Sequence, residues 1–176
     1  MPSLPRTTNE LDNMTREERP EQSQRKDFKW RLQRKLLRSP MSEKLKPGES
    51  LLWSQSLETL LRSNTGKSIF QAFLKSEFSD ENIEFWLRCE DFKKIKCSRR
   101  LTSRAKKIFE RYIQPEAPKE INIDHKTREI IKQNVQTPNK YCFDEAQKTV
   151  FSLMEKDSYP RFLRSDYYRT FLEPVC

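Results

Sequence analysis

His125 is the only imidazole in a chain of 176 residues, and that limits the acid–base chemistry open to it. Ser–His and Cys–His catalysis both need that ring beside a nucleophile, and the pattern around His125 places it at an exposed helix start. The four cysteines, Cys89, Cys97, Cys142 and Cys176, show no CxxC spacing. With a single histidine they match no zinc-ligand pattern, so no metal site is expected and the thiols are expected to be reduced. Gly48 and Gly66 are the only glycines. Without GxGxxG or GxxxxGK[ST] there is no loop whose backbone amides could cradle a phosphate, and no cofactor is expected. The carboxylate pairs Asp80/Glu81, Glu90/Asp91 and Asp144/Glu145 fall on predicted helices, where adjacent side chains point apart and read as solvated faces.

What the sequence does display is polar groups at places suited to binding. In Ile121-Asn122-Ile123-Asp124 the period is two, so an extended backbone sinks both isoleucines and presents Asn122 on the opposite side. Asp124 is placed to cap a helix from His125 to Asn134. Ser79 reads as a helix N-cap, with Asp80 and Glu81 in the first turn where the macrodipole favours carboxylates. Ser158-Tyr159-Pro160 reads as a second helix start, and Asp157 and Arg161 stand four apart as a surface pair.

The net charge of +9 is concentrated. Between Gln24 and Arg38 seven basic residues face Asp27 alone, a net of +6. Phe28, Leu32 and Leu36 recur at i, i+4 and i+8 there, flanked by bases, which predicts an amphipathic helix over 26–37. Laid on an anionic membrane it would bury Phe28, Leu32 and Leu36, with Trp30 at the interface, although Trp30 and Leu37 fall off the main stripe. A helix packed on a domain, or a plain basic linker, is the alternative for the same residues. Charge alone is a weak argument for nucleic acid, and no nucleic-acid partner is expected. A second basic run, Lys93 to Lys107, reads as a hydrated surface able to meet an acidic lipid or partner.

The elements that must position these groups are helical. Leu, Lys, Glu and Arg dominate, charged residues make up 35% of the chain, and the scarcity of glycine disfavours turn-rich β architecture. Residues 1–49 read as a largely disordered extension, polar and proline-punctuated outside 26–37, and a single folded domain is expected over 50–173. Leu52, Trp53, Leu57, Leu60 and Leu61 recur at helical spacing until Asn64-Thr65-Gly66, a stop signal, and Ile69, Phe70, Phe73 and Leu74 form a second short helix. The helix behind Ser79 is apolar on two faces, Ile83/Trp86/Leu87 with Glu90 and Phe85/Cys89/Phe92, as expected of one running through the middle of a bundle. Helices follow around Ala105–Tyr112, around His125–Asn134, from Phe143 to about Lys156-Asp157, and in a final stretch carrying Phe162, Leu163, Tyr167 and Phe171. The class is all-α. No run of about 18 apolar residues occurs and no secretory signal opens the chain, so a cytoplasmic location is expected. Met1-Pro2 does not fit myristoylation, nor a final Cys176 prenylation, so peripheral attachment to the inner face of the plasma membrane would rest on the basic helix.

The stretches FLKSEFSDENIEFWLRCEDFKK (Phe73–Lys94), APKEINID (Ala117–Asp124), CFDEAQ (Cys142–Gln147) and LMEKDSYPRFLRSDYY (Leu153–Tyr168) resemble, in order and spacing, the domain of the regulators of G-protein signalling (RGS). The 26–37 segment is similar to the amphipathic helix that precedes the domain in small family members. The resemblance implies a bundle of about nine short helices with no catalytic group of its own, which activates GTP hydrolysis on a heterotrimeric Gα subunit by holding its switch regions in their transition-state arrangement. It implies a Gα-facing surface of Ser79, Glu81 and Asn82, then Asn122, then Leu153, Asp157, Ser158 and Arg161. It also implies GTP-bound or transition-state Gα as partner, with the chain itself a monomer. Phe78 stands where some members have tyrosine, and the N-terminal cysteine of small members is missing. The competing reading is a basic membrane or phosphoinositide adaptor whose helical domain is a scaffold.

Overall fold

A computed structural model describes residues 48–172, so the amphipathic segment 26–37 with Phe28, Trp30, Leu32 and Leu36 lies outside the described residues. Nine α-helical segments follow one another there: α1 Glu49–Leu52, α2 Leu57–Arg62, α3 Asn64–Ser76, α4 Glu81–Lys93, α5 Ser98–Ile108, α6 His125–Asn134, α7 Asp144–Leu153, α8 Tyr159–Arg164 and α9 Asp166–Leu172. Two runs of π-helix, Phe109–Ile113 and Met154–Ser158, extend α5 and join α7 to α8.

The first helical region breaks differently from the sequence expectation. Asn64-Thr65-Gly66 opens α3 instead of stopping a helix, because Ser63 ends α2 in extended geometry and its hydroxyl accepts from the Gly66 amide at 3.0 Å. The same hydroxyl donates to Glu49 Oε1 at 2.6 Å, tying α1 to this corner. Ser56 likewise caps α2 through Thr59, which divides the Leu52–Leu61 run into two helices.

Aromatic rings fasten the two ends of the domain together. Phe70 of α3 meets Phe162 of α8 edge-on at 5.3 Å, Phe162 meets Tyr168 of α9 at 5.6 Å, and Trp53 meets Phe171 at 6.1 Å. Such pairs contribute about 0.5–1.5 kcal/mol each beyond the area they bury. The second half of the core lies among α4, α5, α6 and α7, with Phe85, Phe92, Tyr112, Phe143 and Val150 all buried. α4 packs on α3, α5 and α7, as a helix through the middle of a bundle should. Its Phe85/Cys89/Phe92 face and Ile83 are buried, while Trp86 and Leu87 are half-buried. Burial pushes the Cys142 thiol up to about 11 and that of Cys89 higher still, so both side chains behave as neutral apolar filling.

Candidate functional site

The first segment of the site is the turn between α3 and α4. Phe78 sits at φ 54°, in the left-handed region, and the residue is 93% exposed. Ser79 does not cap α4: its amide and hydroxyl both donate to the Leu74 carbonyl, at 3.0 and 3.5 Å. Asp80 occupies the N-cap position in helical geometry, φ −84° and ψ −4°, which turns its carboxylate away from the first-turn amides that an extended N-cap would reach. It reaches instead across the fold to Lys119 Nζ at 2.7 Å. Glu81 and Asn82 are half-buried in the first turn of α4. The Asn82 carboxamide oxygen is fully covered and accepts no hydrogen bond from any described residue.

The second segment is the chain between α5 and α6. A π-helical end leaves the Arg111 and Tyr112 carbonyls available, and the Lys119 and Ile121 amides donate to them, both at 3.0 Å. Ile121 and Ile123 join the core and Asn122 between them is exposed, the alternation that the period-two pattern predicts. Glu120 tightens the loop by accepting from the Glu116 amide at 3.0 Å and from Arg128 Nη2 at 2.8 Å. Asp124 caps α6, accepting from the Thr127 amide at 2.8 Å and the Thr127 hydroxyl at 2.6 Å. Those bonds, the hydroxyl's first, hold its carboxyl below the ordinary value.

The third segment is no loop at all. Where Ser158-Tyr159-Pro160 predicts a fresh helix start, α7 continues through Met154–Ser158 as π-helix into α8, and Pro160 is accommodated in the first turn of α8. Ser158 is consequently only 6% exposed and makes no capping bond, so it contributes little surface. Leu153 is 37% exposed and Asp157 projects to solvent. Arg161 pairs with Asp157 and with Glu77. The hydrogen bonds it donates to Glu77 and then to Asp157 hold its guanidinium well above its ordinary value.

Two ion pairs bring these segments together. Asp80–Lys119 joins the first to the second, and Glu77–Arg161 joins the first to the third. Burial pushes the Asp80 carboxyl up, but the hydrogen bond and charge of Lys119 outweigh it and leave the carboxyl below its usual range. The Asp80 hydrogen bond in turn raises Lys119. Glu77 and Lys119 are the members of this face that sequence reasoning did not single out, and Phe78 was noted only as standing where some family members have tyrosine. Phe78 carried a signal, an apolar residue beside a cluster of polar ones, whereas pairings across such long stretches of chain leave none. Chemically the face is a set of donors, acceptors and two apolar contacts, Leu153 and Phe78, with no nucleophile–base pair among the residues described. It can bind and orient a polar partner surface.

The model of the Regulator of G protein signaling domain matches residues 56–171. Regulator of G-protein signaling 5 from Sus scrofa is 54% identical over 125 residues, spanning 71% of this chain and 69% of its own. Regulator of G-protein signaling 21 from Homo sapiens is 53% identical over 121 residues, 69% of this chain and 80% of its own. Regulator of G-protein signaling 16 from Rattus norvegicus is 54% identical over 132 residues, 74% and 66% respectively. An all-helical domain whose four sequence blocks fall inside that match belongs to the regulator of G protein signaling family.

Proposed function

We propose that this chain is a GTPase-activating protein for heterotrimeric Gα subunits, acting on the GTP-bound form and binding most tightly when the switch regions adopt their transition-state arrangement. Membership of the family makes it a regulator of G-protein signalling that engages Gα; the mechanism is the further step. Gα already holds nucleotide, Mg²⁺, an arginine in cis and a water-orienting glutamine, so an activator need only pre-organise them. The observation that carries this reading is the exposed Asn122 on a loop fixed at both isoleucines and clasped to the start of α4. A carboxamide that donates and accepts can hold a glutamine side chain and a backbone group together. Asn82, half-buried in the first turn of α4, belongs to the segment that the Asp80–Lys119 pair joins to this loop. Ser79, Glu81, Leu153, Asp157 and Arg161 complete the contact face, with Ser158 beneath it.

Affinity for Gα·GDP with aluminium fluoride should exceed that for Gα·GDP by at least about tenfold, because a transition-state stabiliser must discriminate between them. Asn122→Ala should keep the helical circular-dichroism spectrum and lose most of the acceleration in a single-turnover GTPase assay. Equal affinity for both nucleotide states would overturn the reading.

The adaptor reading draws on a cleft of about 690 Å³ at the start of α5, where Arg99, Arg100, Arg104 and Lys107 gather beside Asp91. Its basic side chains suit peripheral attachment to an anionic inner leaflet, as does the charge of the segment 26–37. Binding of the full chain to vesicles with and without phosphatidylserine tests this, and vesicle binding that survives deletion of residues 1–45 would place the attachment in the domain rather than in the segment.

A further inference from the structure

We propose that Asp80 and Lys119 are positioning residues whose ion pair sets the separation of Asn82 and Asn122, an inference whose functional half rests on the reading above. Asp80 stands where a side chain would ordinarily cap a helix, and α4 forgoes that cap. Its carboxylate instead crosses 39 residues of sequence to Lys119. The pair is sheltered, with the side chains 13% and 32% exposed, whereas the surface pair Glu58–Arg62 is 66% and 76% exposed. Sheltered pairs hold geometry in a way that solvated ones do not.

The connections form a closed circuit. Lys119 lies three residues before Asn122, and between them the backbone is held by the Lys119 and Ile121 amides on the Arg111 and Tyr112 carbonyls. The Arg111 and Tyr112 side chains return to α4 through Glu84 Oε2, at 3.4 and 3.3 Å. Glu84 Oε1 lies 3.9 Å from Lys119 Nζ, and the Glu84 amide donates to the Asp80 carbonyl at 3.0 Å. A shift of Lys119 relative to Asp80 therefore cannot be absorbed inside the loop, and it moves Asn122. Asn82 follows Asp80 by two residues in the rigid first turn of α4, so the two carboxamides keep one spacing only while the clasp is closed.

The experiment combines amide NMR of the free protein with binding to Gα·GDP·aluminium fluoride for Asp80→Asn, Lys119→Met, the double variant and Lys119→Arg. Lys119→Met and Asp80→Asn should each displace the amide resonances of Ile121, Asn122 and Ile123 and weaken binding about tenfold or more. The double variant should be no worse than either single one, because both remove the same contact. Lys119→Arg, which can still reach Asp80, should bind within about threefold of the natural chain. Unmoved resonances at 121–123, additive losses in the double variant, or Lys119→Arg as damaging as Lys119→Met would each overturn the clasp. If the natural chain fails to prefer the aluminium-fluoride complex, the proposed function fails, and the resonances of the free protein still decide the clasp.

Discussion

The Arg161 guanidinium grips the Glu77 carboxylate with two nitrogens, Nη2 at 2.8 Å and Nε at 3.4 Å, across 84 residues of chain. This fork fixes the turn before α4 against the π-helical junction of α7 and α8. Its third donor group, Nη1, goes to Asp157. Lysine cannot reproduce that geometry, since an ammonium presents a point charge where the guanidinium presents a planar fork.

Arg161→Lys should therefore separate stability from activity. Both partners are about a third exposed, so solvent screening limits the stability cost to about 1 kcal/mol or less. Single-turnover acceleration of Gα should fall about tenfold or more, as expected when contacts on either side of a fork lose their spacing. Urea melts and the single-turnover assay on the same preparation check the pair of outcomes. A large loss of midpoint with full acceleration would make the fork a structural brace alone.

Tyr159 gives the domain an alkaline weakness. Its hydroxyl donates to the Trp53 carbonyl at 2.7 Å in the buried seam joining the two ends of the domain. Burial, with smaller contributions from Tyr168 and Glu155, pushes its phenol up to about 12. The unfolded chain releases that proton near pH 10 while the folded one keeps it, so rising pH favours unfolding. Stability should be fully present below about pH 10 and decline up to about pH 12. Tyr159→Phe should flatten that decline and cost about 1–3 kcal/mol at neutral pH, because the buried Trp53 carbonyl loses its donor. Denaturation midpoints at a series of pH values for both proteins measure both effects.

Gly66 is required by contact. A Cβ there would stand 2.5 Å from the Leu60 carbonyl oxygen and 2.9 Å from Leu60 Cδ1. The first of these is backbone, held in the last turn of α2, and it cannot swing aside. Gly66→Ala should destabilise by about 1–3 kcal/mol despite alanine's better helix propensity, since the close junction of α2 and α3 must open. A melting temperature unchanged or raised in Gly66→Ala would show that the junction yields freely.

The helical class, the central passage of α4 and the display of Asn122 were legible because they are local. Each rests on a period of 3.6 or 2 within a dozen residues, as with Ile121 and Ile123 on either side of Asn122. The resemblance of four blocks supplied the rest of the face. What escaped was tertiary. Ser79 has every local quality of an N-cap, and loses the role because its hydroxyl turns back to Leu74 while Asp80 takes the position in helical geometry. Ser158 looks like a cap before proline, and is buried because a π-helical turn carries α7 onward without a break. Asn64-Thr65-Gly66 has the composition of a stop and opens a helix, because Ser63 caps it and Gly66 fits against Leu60. In each case the residue type was suited to two roles, and a contact distant in sequence decided between them.

Phe78 combines a left-handed backbone with an exposed aromatic ring. A left-handed backbone costs a residue bearing a Cβ about 1–2 kcal/mol, and an exposed ring recovers none of that through burial. The turn itself closes the end of α3, since the Phe78 and Ser79 amides donate to the Lys75 and Leu74 carbonyls at 3.2 and 3.0 Å, whereas the exposed ring gains nothing inside the chain and suits contacts on a partner. Phe78→Gly relieves the strain and Phe78→Ala keeps it, while both remove the ring. Glycine's looser unfolded chain takes back part of the relief, leaving Phe78→Gly about 0.5–1 kcal/mol more stable than Phe78→Ala. Binding to Gα·GDP·aluminium fluoride should weaken in both, and to a similar degree, because each lacks the aromatic anchor that such interfaces favour. Phe78→Tyr should bind at least as well as the natural chain, since it restores a hydroxyl without altering the ring. Thermal melts and titrations of the three variants separate the two effects: weakened binding in Phe78→Ala alone would assign the loss to the backbone turn, and undiminished binding in both would remove Phe78 from the contact face.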